Sequence, residues 1–360
     1  MAIKYQLIAE ELRKQILSAK CLISYKLPTE KELCEKYRVS RQTIRQALYV
    51  LAEEKLITSR QGSGFYTIPL SEHLNENKIV MLISEENEYT YPQFLSQIQA
   101  NLRDHRLSLT IYVTHNDINI ERNILHNLEQ ESISILIVEG IQSAFENPNI
   151  DIYERLQFLG TKIIFISHHY PQLTNVLTVL SDNTTGGYLL GKHFIANGCH
   201  NFCAILPDSV QNAKERYAGL QMAYRDHQLP IPSNNIFWYS EEDLFTLRMR
   251  HDTSFLTAFI RNMALKYHSV FCYSDEISYW LIKELSYANI SVPGQLAVAS
   301  FDNSYLCTLS RPAITSLALP SDEPAASIAN MVINILHDQT MENKMLPWEI
   351  LSRGSTRANI

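Results

Sequence analysis

Two hydrophobic patterns divide the 360-residue chain near residue 70. In the first part apolar residues recur at helical spacing. Leu7, Ile8, Leu12, Ile16 and Leu17 mark the inner face of a helix over residues 4–20. Ile44, Ala47, Leu48 and Leu51 fall at i, i+3, i+4 and i+7 behind Ser40, the stripe of a capped amphipathic helix. Between these, Thr29 and Glu32 form a capping box behind Pro28. The box predicts a helix over 30–37, with Leu33 inward and a turn at Arg38-Val39. Leu56–Arg60 and Phe65–Ile68 are short β-prone runs around Gln61-Gly-Ser-Gly64, which predicts a hairpin. Three helices and a Gly-containing hairpin in this order read as a winged helix-turn-helix (α+β) over 1–68. Residues 69–77 are polar and turn-rich and read as a linker.

From Lys78 the pattern becomes alternation. Short β-branched runs at 79–84, 109–114, 133–138, 162–167, 176–181, 202–206, 236–239, 269–273, 296–301 and 314–319 are separated by segments mostly of helix length. Strand followed by helix, repeated, predicts right-handed βαβ units and parallel sheets. Ten runs are too many for one sheet at this spacing, so 78–360 reads as an α/β bilobal domain with two parallel sheets. Lobe 1 is expected over about 78–180 and 304–335, lobe 2 over about 183–300 and 340–358.

Charge separates the two parts. Residues 1–70 hold 12 lysines and arginines against 7 carboxylates, and the remainder 19 against 31, so a head of +5 joins a body of −12. A basic head on an acidic body suggests that the head alone meets a polyanion. Arg41, Gln42, Thr43 and Arg45 occupy the first turns behind Ser40, on the side away from the apolar stripe. That is the end of a recognition helix presented to the major groove of double-stranded DNA. Arg60 and Gln61 lie near the hairpin tip. A solvated basic face on a small helical domain is the plainer alternative, and a lone helix-turn-helix pattern is unspecific. The ordered set of capped helices, basic face and hairpin is far more specific.

In the body, ligands of parallel sheets bind beyond the carboxyl ends of strands. There the chain places Glu85–Tyr91, including Glu88, Tyr89 and Tyr91; Glu139; Ser167-His168-His169-Tyr170; Asp275; and Asp302-Asn303, with Arg216 and Tyr217 on a helix nearby. Carboxylates, amides, a guanidinium and aromatic rings on one rim suit a polyhydroxylated ligand such as a sugar. Each residue also has a plainer role: Asp275 and Asp302 as helix caps, the histidines as loop residues, Tyr89 and Tyr91 as core, Trp280 as packing. Phosphate-binding Gly loops, nucleophile elbows and metal-ligand patterns are absent, so neither enzymatic activity nor a cofactor nor a metal is expected. The six cysteines are scattered and read as reduced thiols. No apolar run reaches 18 residues and the first residues lack a secretory signal, so no membrane partner and a cytoplasmic location are expected.

Two resemblances sharpen this. Lys4-Tyr5, Leu27-Pro-Thr-Glu-Lys-Glu-Leu33, Val39-Ser-Arg-Gln-Thr-Ile-Arg45 and Gly62-Ser-Gly64 resemble the N-terminal domain of GntR-family bacterial regulators. The resemblance implies DNA contacts by Lys31, Arg41, Thr43, Arg45, Gln61 and Gly62, and by Lys4 as in a subset of members. Glu215-Arg-Tyr-Ala-Gly-Leu220, Val270-Phe-Cys-Tyr-Ser-Asp275, the run from Val292 to Asn303, Thr315-Ser316 and Arg353-Gly-Ser-Thr356 resemble LacI/GalR-type effector domains, which have a periplasmic-binding-protein-like fold. This implies that Arg216 and Asp275 hold the ligand from lobe 2 and Asp302 holds it from the hinge. The pairing of head and body is similar to the bacterial arabinose-responsive repressors. It departs from them at Asn303, where a second Asp is common, and at the acidic loop Glu85–Tyr91. The resemblance implies a homodimeric repressor of sugar-utilisation genes, released from operator DNA by arabinose or a related monosaccharide.

Overall fold

The computed structural model of the chain describes residues 4–18, 24–54, 56–60, 63–68, 75–85 and 91–356. Its head comprises α1 (Lys4–Ser18), α2 (Glu30–Tyr37), α3 (Arg41–Glu53) and the antiparallel hairpin β1 (Ile57–Arg60) and β2 (Gly64–Thr67). The capping box forms as expected: the Glu32 amide donates to Thr29 Oγ1 at 3.3 Å and the Thr29 amide to Glu32 Oε2 at 2.7 Å. Arg38 closes α2 in the left-handed region, φ 51°, and turns the chain into α3. Ile8, Leu12, Ile16, Leu33, Ile44, Leu48, Leu51 and Ile57 make one buried core. Leu7 was expected inside but is 60 % exposed, because Ile8, Leu12 and Ile16 set the buried phase of α1 one residue later. The side chain of Leu17 lies outside those described.

The hairpin gains a partner that the residue pattern did not announce. The Leu27 amide donates to the Phe65 carbonyl and the Thr67 amide to the Tyr25 carbonyl, both at 2.9 Å. Residues 25–27 thus lie along β2 and satisfy an otherwise open edge.

The body is two six-stranded sheets. In the first, β3 (Asn75–Ile83), β4 (Leu109–Val113), β5 (Ile133–Glu139), β6 (Lys162–Ile166), β7 (Leu177–Ser181) and β13 (Lys344–Leu346) lie in the order β13-β7-β6-β5-β3-β4, all parallel. Every residue of β5 is buried, as a central strand covered on both faces requires. One face packs on α4 (Tyr91–Asp104) and α13 (Glu323–Leu336), the other on α5 (Ile118–Glu131) and α6 (Ile150–Phe158).

The second sheet orders β8 (Phe202–Pro207), β9 (Ile236–Tyr239), β10 (Ser269–Cys272), β11 (Ala297–Phe301), β12 (Thr315–Ala318) and β14 (Glu349–Leu351) as β14-β12-β11-β10-β8-β9. Only β14 runs antiparallel, against β12. One face carries α7 (Asn183–Ala196) and α8 (Gln211–Asp226). The other carries α9 (Glu241–Arg250), α10 (Ser254–Asn262) and α11 (Asp275–Tyr287), and the short α12 (Leu306–Leu309) follows β11.

Sheet membership moves two of the expected lobe boundaries. β12 pairs with β11, so the stretch to residue 318 belongs to lobe 2, and β13 pairs with β7, so 344–346 belongs to lobe 1. The chain therefore passes between lobes at 181–183, 318–323 and 346–349. Nothing in composition marks these passages, because each is only a few residues long.

Helices α7 and α8 cross with unusual closeness. A Cβ on Gly187 would lie 1.8 Å from the Arg216 carbonyl oxygen, and one on Gly219 1.9 Å from that of Thr184. Glycine at both positions lets the backbones touch and brings Arg216 to the sheet.

Candidate functional site

In the head, α2 and α3 build one polar face. Ser40 Oγ accepts from the Thr43 amide at 3.2 Å and fixes the start of α3. Arg41 and Arg45, one turn apart, project from it with side chains 71 % and 64 % exposed. Glu30 of α2 holds both: Arg41 Nε to Oε2 at 2.5 Å and Arg45 Nε to Oε1 at 3.0 Å. The hydrogen bond from Arg41, partly offset by burial and reinforced by Arg45, keeps the Glu30 carboxyl below its usual range. Such exposed pairs are worth about 0–1 kcal/mol, so a phosphate or a guanine edge can take either guanidinium from Glu30. Lys4, Lys31 and Gln42 are exposed and Thr43 is half-buried. The Arg60 guanidinium lies 4.5 Å over the Tyr66 ring on the hairpin. Gln61 and Gly62, expected at the hairpin tip, lie outside the described residues.

In the body, a cleft of about 990 Å³ opens between the lobes. This is ample for a small ligand, since such sites run to about 300–1,000 Å³. Lobe 1 lines it with Ser84, Glu85, His115, Glu139, Gln142 and His168. Lobe 2 contributes Tyr239, Glu241, Glu242, Arg248, Tyr273, Glu276, Tyr279 and Trp280, among others. A second recess of about 430 Å³ beside β7 and β13, between Leu173 and Met345, contains no carboxylate to orient a ligand. The lobes also touch directly. The Ala144 amide donates to the Ser209 carbonyl, and the Gln211 amide to Ser143 Oγ, each at 3.0 Å.

The expected ligand residues divide by depth. Glu139 lines the cleft at the end of β5, accepting from the Ser84 amide and hydroxyl, each at 2.8 Å, and from the Tyr91 hydroxyl. Tyr91 is thus buried behind Glu139 as its support. His168 also lines the cleft, and both its ring nitrogens are buried without a partner among the described residues. Burial, with Arg216 and His169 adding to it, lowers its pKa to about 3 and keeps the ring neutral. A neutral imidazole offers one donor and one acceptor, which suits a hydroxyl group.

Arg216 is 5 % exposed and lies beneath the lining. It donates to Asn183 Oδ1 and to the Tyr273 carbonyl, each at 3.0 Å, and packs 4.1 Å from the Phe301 ring centre. Asp275 lies deeper, fully buried, accepting from Ser300 Oγ at 2.6 Å, Ser316 Oγ at 2.7 Å and the Ser304 amide at 2.6 Å. In this geometry it ties α11 to β11 and β12 and does not line the cleft. Asp302 is half-buried at φ 105° where the chain leaves β11, and it too is outside the lining. Glu88 and Tyr89 lie outside the described residues.

Several lining residues carried no sequence signal. Arg248 of α9 grips Glu276 of α11, Nε to Oε2 at 3.0 Å and Nη2 to Oε2 at 2.7 Å. Trp280, expected as packing, lines the cleft and packs at a tilt against His251, ring centres 5.4 Å apart. These residues sit on helix faces rather than at strand ends. Among the described residues no group of His, Cys, Asp or Glu could hold a metal ion, and no helix is long and apolar enough to cross a membrane.

Comparison with known proteins agrees with this division. Residues 4–67 match the family described as bacterial regulatory proteins, gntR family, and residues 192–356 match the periplasmic binding protein-like domain. The chain is 26 % identical over 359 residues to the arabinose metabolism transcriptional repressor of Geobacillus stearothermophilus, covering 98 % of each chain. It is 25 % identical over 346 residues to the protein of the same name from Halalkalibacterium halodurans, covering 94 % of this chain and 91 % of that one. A periplasmic binding protein/LacI transcriptional regulator from Alkaliphilus metalliredigens, solved with D-xylulofuranose, superposes with a TM-score of 0.66 at 20 % identity, over 78 % of this chain and 100 % of that one. A LacI-family regulator from Enterococcus faecium with bound ribose gives 0.64 at 20 % identity, over 78 % and 98 %. The chain joins a GntR-type winged helix-turn-helix domain to a bilobal, periplasmic-binding-protein-like domain.

Proposed function

We propose that this protein is a sugar-responsive bacterial transcription repressor, acting in the cytoplasm on carbohydrate-utilisation genes. The observation that carries the proposal is the joining, in one chain, of an Arg-bearing recognition helix to a two-lobed cleft lined by hydrogen-bonding groups and aromatic rings. The naming of full-length relatives as arabinose metabolism repressors supports it, and so do the sugars bound in two structures of the same body fold. Residues 1–68 would be the DNA-binding domain, 69–77 the linker and the remainder the sensor.

Lys4, Lys31, Arg41, Gln42, Thr43, Arg45, Gln61 and Gly62 would meet operator DNA. Glu139 and His168 would meet the sugar, with Tyr91 and Arg216 holding the walls, and Glu88 and Tyr89 would contribute to the same site. Asp275 and Asp302 would act on the ligand only through the lining above them. Two copies, joined through lobe 1 helices such as α4, would present two heads to a palindromic operator. Sugar binding that favours one lobe arrangement would shift DNA affinity by its differential affinity for the two states, typically about 1–3 kcal/mol. A regulator of the same build that senses another small molecule is the second reading, motivated by the carboxylates that crowd the cleft.

The test is a thermal-shift panel of pentoses and hexoses, followed by operator selection from random DNA. One sugar class should raise the melting temperature and weaken operator binding. Stabilisation by no sugar would contradict the sugar assignment, and failure to select any DNA would contradict the regulator.

A further inference from the structure

The charge of the cleft narrows the effector further, resting on the reading above. Glu85 and Glu139 enter from lobe 1, and Glu241, Glu242 and Glu276 from lobe 2. Against these five carboxylates the lining, among the described residues, brings one guanidinium, Arg248, whose Nε and Nη2 both bond Glu276. Arg216 lies beneath the lining, and Lys283 stands 4.3 Å over the Trp280 ring without lining the cleft. The other cationic candidate, His115, has its Nδ1 3.1 Å from Glu85 Oε1. Among the described residues Glu139 accepts from neutral donors, Ser84 and Tyr91.

Glu85 of lobe 1 and Glu241 of lobe 2 line the cleft from opposite sides. Burial, opposed by the Ser209 hydrogen bond and by Arg248, raises the Glu241 carboxyl, and Asp208 and Glu85 push it the same way. Lobe closure on a neutral ligand would strip water from this surplus of negative charge and, although its hydroxyls can donate to the carboxylates, would bring no counter-charge. Closure on a cationic ligand exchanges that repulsion for charge-assisted hydrogen bonds. Beside the carboxylates, the neutral His168 ring has a donor and an acceptor without a partner among the described residues, available to a hydroxyl, and Tyr273 and Trp280 bring aromatic rings to the lining. We propose that the effector is a polyhydroxylated amine, an amino sugar bound as its ammonium form, with the ammonium at Glu241 and Glu85 and a hydroxyl on His168.

The experiment compares sets of related probes on the full chain at neutral pH by thermal shift and calorimetry. Each set holds a hexosamine or aminopentose, its neutral parent sugar, its N-acetyl form and the parent's phosphate ester. The amine should bind most tightly, with the parent and N-acetyl forms weaker by about tenfold or more and the phosphate ester not binding. Glu241→Gln should bring amine and parent to similar affinities, and its unliganded melting temperature shows whether the fold is kept. Should that variant fail to fold, Glu85→Gln serves the same comparison. Equal or tighter binding of a neutral or phosphorylated probe overturns the inference and leaves sugar sensing standing. Binding of none of the probes contradicts sugar sensing itself, and the inference falls with it.

Discussion

Arg41 and Arg45 show how far single side chains can be read from spacing. Ser40 and the apolar stripe told which way α3 faces, so both arginines were expected on the open side, and there they stand. Their shared counter-ion, Glu30, was not legible, because it comes from another helix. Replacing Arg45 by Ala should cost about 1–3 kcal/mol of discrimination between operator and non-operator DNA, read by fluorescence anisotropy on both. Equal losses on the two DNAs would make it a phosphate contact instead. Asp275 teaches the opposite lesson: an Asp after a strand can face a ligand or turn inward, and the three donors that turn this one inward lie 25–41 residues away in sequence. Asp275→Ala strands those donors and should lower unfolding stability by about 2–4 kcal/mol in urea titrations.

His168 carries a pH signature. Its folded pKa, about 3, lies below the ordinary 6.5, so between those values the unfolded chain holds a proton that the folded chain refuses. Its stabilising contribution is complete above 6.5 and is lost as pH falls toward 3, at up to about 1.4 kcal/mol per unit. Urea unfolding from pH 7 to 4.5 should therefore show a steeper loss in the wild type than in His168→Gln. Parallel curves would mean that His168 is hydrated and not buried.

At the level of helices and strands, caps and runs with strong periodicity were legible and short or non-local pieces were not. The Thr29–Glu32 box marks the start of α2, and all ten β-branched runs are strands. β13 and β14, three residues each, are too short to show a period, and both depend on pairing with strands distant in sequence. For the same reason the lobe boundaries could not be placed from composition. Two substitutions test these elements. Ser40→Ala removes the cap of α3 and should destabilise the head by about 1 kcal/mol, seen as a lower melting temperature with operator affinity reduced. Gly219→Ala drives a methyl group into the Thr184 carbonyl and must separate α7 from α8. It should cost about 1–3 kcal/mol and weaken cleft binding by displacing Arg216, whereas full stability would mean that the helices are not in contact.

For the molecule as a whole, the division of charge organises function. The basic head can approach DNA while the acidic body repels it, so affinity should fall steeply with salt and specificity should rest on α3. Two joined domains become a regulator only if cleft and head communicate, and the three short passages between lobes give closure a mechanical route. The decisive measurement is the operator affinity of the full chain by anisotropy, with and without a saturating sugar that calorimetry has shown to bind. The account predicts a Kd weakened by about 5–150-fold, the range of typical coupling free energies. An unchanged Kd, with the sugar bound, would contradict it.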